Sequence, residues 1–268
     1  MITNTRVLFS ALLQSAGADC LCDIGSRDGE DALRFRNVFP EARILAFEAN
    51  PHNFALIAAD ARVKAAKIEI LPYAVSNAEG EATFNVTEVV ANDPHGVSGT
   101  SSLLGGAGVD VMETVRVQTR RLDGLIEERC ADCCGIGLWV DVEGAEYMVF
   151  EGMEGIRDRV IAIHVETAMK PLRDGQRTMP EVTALLERMG FDLVDAGFAE
   201  TDLWGDAVYV NRAIRAKLGS AYEAARRKAR WSLKLRVSVL AGFLQRRIPW
   251  LYRIAYRFYY RLGTKRCG

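Results

Sequence analysis

Two groups of residues in this chain have the types and spacing for chemistry. The first is Asp141-Val142-Glu143-Gly144-Ala145-Glu146, followed by His164 and Glu166. A carboxylate or imidazole beside a hydroxyl can take the proton which that hydroxyl loses on becoming a nucleophile. Asp141 is the first candidate for that role, with His164 and Glu166 next. Asp141, Glu143 and Glu166 could instead hold Mg²⁺, which takes carboxylates together with water and substrate oxygens; the residues alone assign no metal. The second group is Asp23-Ile24-Gly25-Ser26-Arg27-Asp28-Gly29, with Glu48 further on. Glycines let a ligand approach the backbone and tolerate positive φ, and an acid at a strand tip can accept hydrogen bonds from both hydroxyls of a ribose.

Both groups need strands to hold them. Asp19 to Ile24 is a short apolar run opened by Gly17 and closed by Gly25, the pattern of a buried parallel strand, and Asp28 to Phe39 has helical spacing. Arg43 to Ala49 reads as the next strand and carries Glu48 at its tip. Strand, glycine turn, helix, strand and acid make a nucleoside-binding α/β unit. A dinucleotide site places a second glycine two residues after the first, so that a pyrophosphate can sit on the helix N-terminus. Here that position is Arg27, whose side chain would crowd a pyrophosphate. An acid before the first glycine suits a ligand with a cationic amino-acid end and no phosphate, which describes S-adenosylmethionine. The residues expected around it are Asp23, Gly25, Ser26, Gly29, Glu48, Ala74 and Asp141. A nicotinamide oxidoreductase is disfavoured by Arg27 and by the lack of an evident Tyr-x-x-x-Lys pair.

Further along, Pro51 to Val63 reads as a helix with Pro51 at its start, where the missing N–H costs nothing. Lys67 to Val75 reads as the third strand, its far end at Tyr73-Ala74-Val75 beside the adenine pocket. Glu81 to Glu88 and Glu113 to Arg120 alternate like a hairpin around a long loop, Asn92 to Asp110, rich in Gly, Ser, Asn and Pro. Such a loop is a lid or substrate loop, or is merely flexible; Thr100, Ser101 and Ser102, with Glu143, are the candidate acceptor contacts. Leu122 to Cys130 is a short helix, and Ile136 to Val142 a fourth strand delivering Asp141. Glu143 and Glu146 then fall in the first turn of a helix to about Met153, where the macrodipole favours carboxylates whatever the chemistry. Arg159 to Val165 is the fifth strand, with His164 and Glu166 at its tip, and His164 reads equally as a base or a core histidine. Pro180 to Met189 is a helix, and Phe191 to Asp195 pairs with Ala207 to Asn211 as a terminal antiparallel hairpin. The expected fold class is α/β, a doubly wound Rossmann-like seven-stranded sheet with one reversed strand.

Asp23-Ile24-Gly25-x-x-x-Gly29, Phe47-Glu48-Ala49-Asn50-Pro51, Leu122-Asp123, the Asp141 to Glu146 run and Glu166 together resemble the pattern of the FkbM family of S-adenosylmethionine-dependent methyltransferases, over roughly residues 19 to 211. The sequence departs from that pattern at Ala49, where members often have proline, and at Arg27, where a small or amide residue is common. The resemblance implies O-methylation of a hydroxyl on a small-molecule or glycan acceptor, commonly a sugar or natural product; a lipid-linked acceptor is also open. A non-catalytic binding module with the same fold is the alternative.

Composition bounds the rest. The chain has 268 residues and 49% hydrophobic content, enough for one large core. Its 34 Lys+Arg and 35 Asp+Glu are unevenly spread: residues 1–212 hold 19 and 34, leaving 15 and 1 for residues 213–268. Three parts are expected, namely a capping helix over 1–18, the cofactor-binding domain over 19–212 with its hairpin insert at 80–120, and a basic aromatic extension over 213–268. Val7 to Leu13 faintly resembles a signal peptide, but cleavage there would leave the first core strand without its covering helix. The cysteines read as reduced thiols of a cytoplasmic protein. Cys130, Cys133 and Cys134 cluster but lack the fourth ligand of a structural zinc. In the extension, Arg253, Arg257 and Arg261 recur every four residues among Trp250, Tyr252, Tyr256, Phe258, Tyr259 and Tyr260. That pattern suits an anionic membrane surface at its inner face, or docking on the acidic body, ahead of nucleic acid. Val237 to Gln245, the longest uncharged stretch, is short of the roughly 20 residues that span a bilayer.

Overall fold

The computed structural model of the chain describes residues 4–88, 97–106, 109–197 and 203–230. Its elements in order are α1 (Thr5–Ala16), β1 (Cys20–Ile24), α2 (Glu30–Val38), β2 (Arg43–Phe47), α3 (Pro51–Ala59), α4 (Ala61–Ala65), β3 (Glu69–Leu71), β4 (Tyr73–Ser76), β5 (Gly80–Thr87), β6 (Val111–Arg121), α5 (Leu122–Cys130), β7 (Ile136–Val140), α6 (Glu146–Glu151), β8 (Val160–Ala168), α7 (Met179–Arg188), β9 (Phe191–Gly197), β10 (Trp204–Asn211), α8 (Arg212–Leu218) and α9 (Ser220–Arg230). The main sheet runs β3-β2-β1-β7-β8-β10-β9. The first five of these strands are parallel, and β10 is antiparallel to both of its neighbours. This is the expected seven-stranded sheet with one reversed strand.

Strands β1 and β7 are buried at every position, as strands covered on both faces must be. On one face Leu125, Phe150 and Leu186 from α5, α6 and α7 pack on the sheet; on the other, Phe9 and Leu12 from α1, Phe35 from α2 and Tyr222 from α9 do so. The chain order reverses between β1 and β7, whose ends lie together with Ile24 opposite Val140. Ligands bind in the crevice outside such a switch point, and both chemical groups of the sequence fall there. Helix α1 is the expected covering helix: Asn4 caps it by accepting from the Val7 N–H, and Gly17, at φ 72°, ends it in the left-handed region that glycine enters at little cost. The hairpin forms a second sheet, ordered β4-β6-β5, whose small core of Ala74, Phe84, Val86 and Val117 packs against Ala49 and Leu103.

Several boundaries differ from the sequence reading. The third strand is two strands in two sheets: β3 pairs with β2, then Pro72, lacking a donor, intervenes, and β4 pairs with β6. The helix after Pro51 breaks at Asp60, whose side chain accepts from the Arg62 N–H and so caps α4. Glu143 lies in the turn before α6, at φ 56°, so of the two acids only Glu146 occupies the helix's first turn. Strand β8 continues to Ala168 because Trp204 of β10 pairs there, which puts Glu166 inside the strand. Cys20 joins Cys130 and Cys133 in a buried thiol cluster with sulfur atoms within 4.8 Å of one another, and these are free cysteines.

The basic extension begins as part of the body, since Tyr222, Ala225 and Ala229 of α9 are buried in the same core as α1. Its arginine ridge and aromatic residues from Trp231 onward lie outside the described residues. Among the described residues no helix is long and apolar enough to cross a membrane.

Candidate functional site

The glycine turn is held by its own acids. Asp23, within β1, is 1% exposed and accepts a 2.7 Å hydrogen bond from the Ser26 hydroxyl. Glu48, just past β2 and 5% exposed, accepts from the Arg27 N–H through one oxygen and the Asn50 N–H through the other, both at 2.7 Å. Glu48 thereby ties the turn to the β2 tip. Gly25, at φ 86°, permits a contact that no side chain would: an added Cβ would lie 1.8 Å from the Asp141 carbonyl oxygen. That approach lets the Asp141 N–H donate to the Ile24 carbonyl at 2.9 Å, so the two groups of the sequence meet through backbone.

A cavity of about 540 Å³ opens over this turn, bounded by Gly25, Glu48, Tyr73, Ala74, Ser101 and Asp141 among others. Of the seven residues expected around a cofactor, Gly25, Glu48, Ala74 and Asp141 line it. Asp23, Ser26 and Gly29 do not: the first two bond to each other beneath the turn, and Gly29, at φ 76°, faces Ile57 of α3. With the Asn53 side chain as a third donor, the Glu48 carboxylate still keeps a lone-pair site, of about four, to accept from a ligand.

A second, open cleft of about 1380 Å³ adjoins the first, lined by Thr100, Glu143, Glu146, Glu166, Arg173 and Trp204 among others. Glu143 lines both spaces, and carboxylate oxygens of Asp141, Glu143 and Glu166 lie within 4.8 Å of one another at the junction. Burial, then the charges of Glu166 and Glu143, push the Asp141 carboxyl well up. Burial raises Glu166 and Glu146 to about 7, with Glu143 adding to each. Glu143 is raised by burial against the opposing guanidinium of Arg173. Carboxyls with raised proton affinity are well matched to accepting a proton near neutral pH.

His164, a candidate base in the sequence, lies in the core. It is 2% exposed, lines neither space, and lies 3.2 Å through Nε2 from the Thr5 hydroxyl. Its ring stacks on Trp139 at 3.6 Å, with Phe9 edge-on, and burial holds it well below the usual histidine range. Two residues deeper in β8 than Glu166, it sits under α1 instead of at the crevice.

The acceptor-loop residues separate by position. The hydroxyls of Thr87, Ser98, Thr100 and Ser101 form a chain with 2.7 Å links, and the Asn53 side chain fastens it by donating to the Ser98 carbonyl. Thr100 lines the cleft and Ser101 the cavity. Ser102 lines neither space: 1% exposed, it bridges to Asn85, and its hydroxyl donates to the Val142 carbonyl at 3.4 Å. Sequence reasoning missed Arg173, which is 9% exposed and donates to the Thr100 carbonyl at 2.6 Å and to Glu143 at 3.2 Å. It also passed over Asn53, whose only visible signal was a position at a helix start, and Trp204, half exposed at the cleft rim.

Burial raises both Asp23 and Glu48 to about 7 from ordinary values of 3.8 and 4.5. The folded state therefore binds protons more tightly than the unfolded chain between those values, and its stability falls as pH rises through that window. The melting temperature of the ligand-free protein is expected to be higher at pH 5.5 than at pH 8, read by circular dichroism. A melting temperature that rises over that interval contradicts the buried-acid assignment.

Residues 23–193 match the family described as the methyltransferase FkbM domain. Two characterised relatives are similar to this chain. The 2-O-methyltransferase NoeI of Sinorhizobium fredii is 27% identical over 65% of this chain and 72% of its own length. The hexuronic acid methyltransferase AglP of Haloferax volcanii is 28% identical over 55% of each, so the chain spans about half of that relative. Among solved structures, magnesium protoporphyrin IX methyltransferase from Synechocystis, with bound SAM, gives a TM-score of 0.40 at 11% identity, over 77% of this chain and 79% of that one.

Proposed function

The chain belongs to the FkbM family of S-adenosylmethionine-dependent methyltransferases, and from that premise we propose that it methylates a hydroxyl of a sugar-containing acceptor held in the open cleft. Membership of a methyltransferase family decides against the non-catalytic binding module. The observation that carries the proposal is that Glu143 borders both the cavity over the glycine turn and the cleft. A donor in one and an acceptor in the other would meet at Asp141, Glu143 and Glu166.

The residues of the first cavity fit the cofactor. Gly25 leaves the backbone open, Glu48 offers a free lone pair for a ribose hydroxyl, and Tyr73 and Ala74 form an apolar wall for an adenine. The cofactor supplies a methyl group activated on a sulfonium sulfur. What remains for the chain is alignment and proton acceptance. Asp141 stands where the cavity opens toward the cleft and takes the hydroxyl proton, with Glu166 beside it. Arg173 holds Thr100 and Glu143 at fixed positions on the acceptor side.

A sugar acceptor is favoured by two features of the cleft together with the hexuronic acid methyltransferase activity of AglP. Its polar lining of Thr100, Arg173 and Gln176 suits hydroxyl groups, and Trp204, 52% exposed, offers a flat apolar face at the rim against which a pyranose ring can stack. Labelled methyl transfer from S-adenosylmethionine to a panel of glycosides, lipid-linked sugars and phenolic natural products tests this. Incorporation into sugars is expected, and Trp204→Ala should raise their KM about tenfold, or about 1.4 kcal/mol, with kcat little changed. Label entering phenols but no sugar overturns the acceptor assignment. A peripheral membrane position, through residues 213–268, is proposed only for a lipid-linked acceptor, where it would bring the cleft to its substrate.

A further inference from the structure

We propose that the junction of the two cavities binds a divalent cation of the Mg²⁺ or Mn²⁺ type, held by Asp141, Glu143 and Glu166, which fixes acceptor oxygens for the reaction. The proposal rests on the methyltransferase reading above and assigns that site an ion. Three carboxylate oxygens, one from each residue, lie within 4.8 Å of one another, close enough for one ion to reach all three. The residues come from three separate places in the fold: the end of β7, the left-handed turn at Glu143, and β8. Arg173 donates to only one oxygen of Glu143 at 3.2 Å, which leaves the other oxygen free to coordinate.

A second observation points to a ligand in the same place. Among the described residues, Glu146 Oε2 and Thr167 Oγ1 have no hydrogen-bond partner, although both residues are 2% exposed. Both line the cleft beside the carboxylates. Buried polar atoms are almost always satisfied, and water molecules on a cation would satisfy these two. Mg²⁺ keeps several waters and takes one or a few carboxylates with oxygen atoms of a substrate. The donor set is entirely oxygen, which selects a hard cation over zinc or copper. Two neighbouring acceptor oxygens can replace waters on the ion. The ion's charge then lowers the proton affinity of the hydroxyl to be methylated, and its proton leaves to a carboxylate of the cluster.

The test is a titration of the full chain with Mn²⁺, following free Mn²⁺ by electron paramagnetic resonance with S-adenosylhomocysteine present and absent. Wild type is expected to remove a stoichiometric amount of Mn²⁺ from the free signal, and Mg²⁺ to release it. Glu166→Gln, near in shape, should weaken Mn²⁺ at least about tenfold, and Asp141→Asn provides a second variant if the first does not fold. Calorimetry of S-adenosylmethionine in excess chelator is run alongside. Cofactor binding without Mn²⁺ binding at millimolar ion overturns this proposal and leaves the methyltransferase reading standing; loss of cofactor binding as well strikes that reading. Mn²⁺ binding that both variants leave unchanged also overturns the assignment.

Discussion

Asp141→Asn is expected to slow methyl transfer by between about 10² and 10⁴, with the cofactor still bound. The substitution keeps the shape of the side chain and its backbone hydrogen bond to Ile24, but removes the group that faces both cavity and cluster. It also removes one of several like charges that burial already disfavours there. The ligand-free variant should therefore melt no lower than wild type above pH 7. A single-turnover rate with saturating cofactor separates this from a binding defect, and a rate within a few-fold of wild type removes Asp141 from the chemistry.

Gly25→Ala is expected to be as damaging for a different reason. The added methyl would sit 1.8 Å from the Asp141 carbonyl oxygen and 2.8 Å from its carbon, so the β1 turn and the β7 end must separate. Backbone cannot yield cheaply, and left-handed φ adds about 1–2 kcal/mol for a residue with a Cβ. Loss of more than about 3 kcal/mol of stability is expected, in the range of severe core damage, with cofactor binding lost even in protein that folds. Gly17→Ala is the matched control. Gly17 has φ 72° but nothing among the described residues within 4 Å of an added Cβ, so it should show the conformational cost of about 1–2 kcal/mol alone. Chemical denaturation of the two variants reads the difference, and equal losses would mean that the close approach to Asp141 does not matter.

The elements that make the crevice were legible because their signals are local. Strands β1, β2 and β7 are short apolar runs ended by glycine or acid, and a parallel strand buried on both faces has no other pattern. That same uniformity hid the facing of His164, since an all-apolar strand does not say which neighbours each side chain meets. The split of β3 from β4 was foreshadowed only by Pro72, which in a single sequence reads as readily as an edge position. Arg173 could not be found at all: it lies in a stretch without periodicity, and its partners, Thr100 and Glu143, are brought to it by two separate loops. Cys20 likewise meets Cys130 only through the pairing of distant elements, at 3.7 Å between sulfurs. Asn50 and Asn53 look like ordinary helix-start residues, and Asn50 does cap α3; that the acceptor loop also docks on them is a tertiary fact.

The cofactor site carries everything else, and calorimetric titration of the purified protein with S-adenosylmethionine tests it most directly, with Glu48→Ala beside wild type and NAD as the control ligand. Wild type should bind S-adenosylmethionine and not NAD, whose pyrophosphate the Arg27 side chain is expected to crowd. Glu48→Ala should weaken binding more than tenfold, a loss above about 1.4 kcal/mol, since it removes both the proposed ribose acceptor and the tie that holds the glycine turn to β2. No binding by folded wild-type protein at millimolar S-adenosylmethionine, or undiminished binding by Glu48→Ala, would contradict the site described for this chain.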